Sequence, residues 1–194
     1  LFTESERKEF MKWDSSPVLA AGIIAGFAAL PQQALALNMG NLVYEPVEPC
    51  RIVNTSAGTG GSLVSGVPQS FFASGTDLAA QGGDAAGCEH PRSAAGVAPV
   101  AISANVTAVG RQANANGNVV AYPTGSTAPS ASLVNFTTAA NIANSAIVGL
   151  CEGTSCTTGD FDLLANFATV PAIVDVQGYF YPQAGNVISV SPSG

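Results

Sequence analysis

The chain has 194 residues, of which 47% are hydrophobic and only 10% charged, and its net charge is -7. Soluble domains usually carry about 25% charged residues, so this surface lacks the charge that keeps cytoplasmic proteins apart and suits an exported or assembled protein better. Three of the six basic residues (Arg7, Lys8 and Lys12) crowd the first twelve positions, and Arg51, Arg92 and Arg111 are scattered among nine acids, so no basic patch exists and nucleic acid is excluded as a partner.

Residues 1–40 differ from the rest of the chain. Residues 1–13 are charged and compatible with a helix, and residues 17–30, PVLAAGIIAGFAAL, carry no charge. That run is shorter than the ~20 apolar residues a membrane-spanning helix needs. It fits a secretory core segment, with Met11-Lys12 upstream and Ala34-Leu35-Ala36 as a cleavage-like end. If it is retained in the mature chain, it must be covered by lipid, by its own domain or by neighbouring copies. Residues 1–40 are thus expected to be a cleaved signal, a membrane or envelope anchor, or an apolar helix or extended segment used in assembly.

Residues 41–182 are rich in Val, Ile, Thr, Phe, Gly and Asn, which favour strands and turns. Strands are predicted at 51–53, 70–74, 98–108, 117–122, 132–137, 145–150, 161–167 and 172–181. Between them stand Gly58-Thr-Gly-Gly61, Gly82-Gly83, Asn114-Ala-Asn-Gly117, Pro123-Thr-Gly125 and Thr158-Gly159. Short strands at this spacing with Gly, Asn and Pro turns predict a mainly β domain, an antiparallel β-sandwich or jelly roll. Alternation is visible in Ala101-Ile-Ser-Ala-Asn-Val-Thr107 and Ile173-Val-Asp-Val-Gln-Gly-Tyr179, giving each strand a core face and a polar face. Residues 183–194 read as a C-terminal tail. Within it, residues 186–191, NVISVS, are either an extra strand able to pair with a neighbour's edge, one more local strand, or part of a frayed end.

Cys50, Cys88, Cys151 and Cys156 form an even set, which in an exported chain implies two disulfides. Cys151-Glu-Gly-Thr-Ser-Cys156 suits a local clip, leaving Cys50 for Cys88. A structural zinc site is the competing reading, but the chain has no CxxC and its sole histidine is His90. No metal or other cofactor is expected.

Few groups offer chemistry. His90 lies two residues from Cys88, but an oxidised Cys88 is no nucleophile, so His90 is read as a turn residue before Pro91. Asp160 and Asp162 flank Phe161 and would share a strand face. That pairing could serve acid–base chemistry or calcium, yet calcium usually draws 6–8 oxygen ligands. The plainer expectation is a hairpin end, with Phe161 in the core and both acids in water. Tyr122 and Tyr179 are candidate ligand-facing rings for a glycan, with strict alternation placing Tyr179 and Tyr181 opposite Phe180. No catalytic residues are assigned and no enzyme is expected.

The segments Tyr44-Glu-Pro-Val-Glu-Pro-Cys-Arg-Ile-Val-Asn-Thr55, Asn105-Val106-Thr107, Tyr122-Pro-Thr-Gly125, Asn135-Phe136, Asn144 and Ile173-Val-Asp-Val-Gln-Gly-Tyr-Phe180 occur in that order. Together they resemble an uncharacterised family of secreted and cell-surface bacterial β-domains, over residues 44–182. The chain departs from the pattern at Asn54-Thr55-Ser56, where Asp-Thr-Arg is usual. The resemblance puts Arg51 and Asp175 in its two signature blocks and so implies a structural ion pair between them. It also implies an extracellular or cell-surface location on a bacterium. The expected function is a structural subunit of an extracellular filament or surface assembly, whose partners are copies of itself and, through residues 17–30, a membrane or cell envelope. The alternative is a surface-anchored adhesin or carbohydrate-binding module.

Overall fold

The computed structural model describes residues 42–153 and 156–183. The apolar run at 17–30 and the strand expected at 186–191 lie outside the described residues. The described chain is mainly β. In order it forms β1 (Leu42–Asn54), β2 (Gln69–Phe71), β3 (Ala101–Ala108), β4 (Gly117–Pro123), β5 (Val134–Phe136), β6 (Ile142–Gly149), β7 (Phe161–Asn166) and β8 (Ala172–Pro182). Three single 3-10 turns, Ala79–Gln81, Ser93–Ala95 and Gly110–Gln112, interrupt the connections.

The strands make two antiparallel four-stranded sheets, ordered β1-β8-β3-β6 and β2-β7-β4-β5. Their inner faces meet in a core of Ile52, Ile102, Val106, Val174 and Val176 from the first sheet and Phe71, Val119, Phe161 and Leu163 from the second. Each such side chain contributes about 1.5–3 kcal/mol when fully removed from water. β3 shows the cause plainly: Ile102, Ala104, Val106 and Ala108 are buried, and Ser103, Asn105 and Thr107 between them are only half-buried.

β8 alternates too, but changes phase midway. Ser103 of β3 pairs with Gly178 and Ala104 with Val176, so Gln177 is one residue too many, a β-bulge. Below the bulge Val174 and Val176 point into the core, and above it Tyr179 and Tyr181 do. Gly178 sits at the shift because the ring of Tyr44 lies over it. A Cβ there would collide with that ring, which also packs against Phe180 in a tilted pair with centroids 4.9 Å apart.

β1 runs much longer than residues 51–53 because Leu42 to Pro46 also pair with β8. Pro46 and Pro49 are tolerated because β1 is an edge strand, with one neighbour to bond among the described residues. Its pairing is irregular between Pro46 and Cys50 and between Arg51 and Val53. The loop after β2 packs directly on β1. Gly82 there has φ 74, and a Cβ would run into the Asn54 carbonyl oxygen, so only glycine fits.

Candidate functional site

All four cysteines are paired. Cys50–Cys88 ties β1 to the loop before β3, and Cys151–Cys156 closes the short loop before β7. Two disulfides fit an extracellular or otherwise oxidising environment. Cys88 is therefore no free thiol. His90 lies in an aromatic and ionic cluster beyond it, with the Tyr181 hydroxyl 3.2 Å from Nδ1. Arg92 stacks 4.5 Å over the Tyr181 ring and donates from Nε to Glu45 at 2.7 Å. Burial holds the His90 imidazole below its ordinary value, against the opposing pull of Glu89 and Asp160.

The two acids beside Phe161 are not both in water, which corrects the sequence expectation. Asp162 is buried, and its Oδ1 accepts from Ser70 Oγ at 2.7 Å and Thr124 Oγ1 at 2.8 Å. Ser70, Asp162 and Tyr122 stand in register across β2, β7 and β4. Hydroxyl donors from two neighbouring segments make burial of the carboxylate tolerable. Asp160 is half-buried and accepts the Ala73 backbone N–H at 2.8 Å, and desolvation raises its carboxyl above the usual range. The shared-face geometry of the two acids is thus taken up by internal hydrogen bonds.

Both candidate ligand-facing tyrosines are buried. Tyr179 is fully buried, and its hydroxyl lies 3.2 Å from the Ala73 carbonyl oxygen and 3.3 Å from that of Cys88. The bulge at Gln177 is the reason, because it inverts the face that strict alternation assigns to Tyr179. Tyr122 is 5% exposed, since β4 lies between β7 and β5 and the ring sits beside Asp162. Desolvation raises both phenols above their ordinary value. Arg51 and Asp175 do meet: paired across β1 and β8, they form a two-pronged bridge of 2.8 Å and 3.2 Å. That hydrogen bond raises the already high Arg51 value. The guanidinium is largely exposed, so the pair contributes no more than about 1 kcal/mol.

A shallow cleft of ≈ 240 Å³ lies between the Gly58–Gly61 turn and Gln81. Its main polar group is already engaged: Gln81 Nε2 donates to the carbonyls of Ile52 (2.6 Å) and Phe72 (2.8 Å), and its Oε1 accepts the Phe72 N–H. Among the described residues no group of three or more His, Cys, Asp or Glu could hold a metal, and no helix is long and apolar enough to cross a membrane.

The sheet edges differ sharply. An unpaired edge offers a row of free N–H and C=O groups to another chain, and proteins usually shield it with prolines, charges, bulges or brevity. β1 has Pro46, Pro49, Glu45, Glu48, Arg51 and two irregularities. β2 and β5 have three residues each. β6 has none of these shields. Its eight residues, Ile-Ala-Asn-Ser-Ala-Ile-Val-Gly, pair with β3 without a register shift and carry no charge and no proline. Ile147 is 62% exposed and Ile142 37%. Sequence reasoning missed this edge, because residues 145–150 look like any other strand until the sheet order is known. Comparison of the chain with known proteins gives no matching family model, no matching curated protein and no matching solved structure, so its function is argued from this geometry.

Proposed function

We propose that the protein is a structural subunit of an extracellular filament or surface assembly, built from copies of itself. The observation that carries this reading is the β6 edge, unshielded among the described residues, where the other three sheet edges are short or blocked. A free, uncharged edge strand extends sheets between chains. The low share of charged residues leaves few ions to desolvate where copies meet. Two disulfides support a place outside the reducing cytoplasm, and the resemblance of residues 44–182 to secreted bacterial β-domains supports the cell surface. Burial of Tyr122 and Tyr179 leaves the glycan-binding alternative without the rings it rested on.

The test is electron microscopy and sedimentation of the full oxidised chain over a range of concentrations. Regular, concentration-dependent assemblies are expected. A chain that stays monomeric at all concentrations refutes the reading.

A further inference from the structure

We infer that the β6 edge of one copy is filled by residues 186–191 of a second copy, which add to the first sheet as a fifth strand. The inference rests on the assembly reading and names the two surfaces that meet.

The acceptor is incomplete on two counts. Alternate backbone groups of β6 point away from β3 and have no strand beyond them among the described residues. In addition, the sandwich is open at this side. Asn144 pairs with Val106 and Val148 with Ile102, which sets both on the core-facing side of β6 together with Ile142. Val148 is buried there, yet Ile142 and Asn144 are exposed. Asn144 Nδ2 reaches the Leu133 carbonyl at 2.8 Å, bridging toward the second sheet near β5. An added strand that is apolar on one side would close this mouth.

Residues 186–191, Asn-Val-Ile-Ser-Val-Ser, have that character. They contain no charge and no proline, and three of the six are β-branched aliphatics, which favour strands. Paired as a strand, they would set Ile188 and Val190 with Asn186 on one face, and Ser189 and Ser191 with Val187 on the other. The first pair would extend the core beside Ile142 and Val148, and the serines would share the outer face with Ser145. With no charge on either partner, no ion needs to be desolvated as they pair.

Reach favours a second copy over the same chain. The free side of β6 lies three strand spacings from β8, about 14 Å. The four peptide steps from Pro182 to Asn186 span at most ~14 Å when fully stretched. Filling its own edge would need a taut, straight crossing over the sheet end, a restriction a neighbour does not impose. Because donor and acceptor are different surfaces, the contact can repeat head-to-tail into an open chain or a ring, whereas reciprocal exchange of the segment would close a dimer.

The experiment compares the full chain, the full chain with Ile147→Lys, and the chain lacking residues 186–191, by electron microscopy, sedimentation and hydrogen exchange, each checked by its thermal melt. The expected result is assembly of the unmodified chain with slowed exchange at residues 142–149, and loss of assembly in both variants without a change in melting. Persistence of assemblies after removal of 186–191 overturns the inference. If residues 142–149 then remain protected, a second β6 edge is the occupant, and if they do not, another surface is used. Assembly that survives Ile147→Lys with unchanged exchange also overturns it. In these cases the unmodified chain still assembles, so the assembly reading stands. Absence of assembly in the unmodified chain removes that reading and this one together.

Discussion

The two disulfides enclose loops of very different length, and removal of the longer one should cost more stability. Cys50 and Cys88 are 38 residues apart, and Cys151 and Cys156 are 5 apart. Loop-closure entropy makes the long bridge worth about 4 kcal/mol and the short one about 2 kcal/mol at 25 °C. For a chain of this size each kcal/mol moves the melting temperature by about 2–4 °C. The double variant Cys50→Ala/Cys88→Ala should therefore melt ~8–16 °C lower, and Cys151→Ala/Cys156→Ala ~4–8 °C lower. Cys88 is buried in the core, so removing its sulfur can only widen the gap. Thermal unfolding followed by circular dichroism, without reductant, measures both. If the short-loop variant loses as much as the long-loop variant or more, constraint of the unfolded chain is not what these bridges supply.

Asp162→Ala should cost about 2–4 kcal/mol by stranding the Ser70 and Thr124 hydroxyls, and Asp162→Asn clearly less because its carbonyl oxygen can still accept from both; chemical denaturation gives the ranking, and equal losses would contradict the geometry. Gly178→Ala should displace the Tyr44 ring and cost about 1 kcal/mol, and in a Tyr44→Ala background it should become nearly neutral, a coupling a double-mutant cycle reads directly. Two opposed pH effects are expected. Neutral His90 contributes stability that is full above 6.5, the unfolded value, and is lost as pH falls through the lower folded value, so His90→Gln should flatten that acid loss. Protonated Asp160 contributes stability present below 3.8 and lost as pH rises through its raised folded value, so Asp160→Asn should flatten that second slope; urea melts across the acid range would separate the two.

Most of the strand order in the chain is legible because turns and alternation are local. β3 reads correctly from Ile102, Val106 and the polar residues between them, and β4 and β7 start where the turn signals Asn114-Ala-Asn-Gly117 and Thr158-Gly159 suggest. The features that escape a reading of the sequence depend on neighbours distant along the chain. β1 is expected only at 51–53 but runs from Leu42 to Asn54, because an edge tolerates Pro46 and Pro49 and edge position is set by sheet order. Tyr179 reads as outward-facing because the bulge at Gln177 arises from pairing with β1 and β3. Asp162 reads as solvated because Ser70 and Thr124, its donors, come from other parts of the chain. The open β6 edge is invisible for the same reason.

The bulge in β8 also divides the interior into two solvents. On one side of Gln177 the strand contributes Val174 and Val176, whose stability comes from dehydrated hydrocarbon. On the other side it contributes two phenols, set among backbone carbonyls, an imidazole and a stacked guanidinium, whose stability comes from directed bonds in a low dielectric. Acid, which charges the imidazole, should therefore attack one half of a continuous strand and spare the other. Amide exchange along β8 would then show a boundary at a single inserted glutamine, the side above it opening first in acid and the side below it outlasting it.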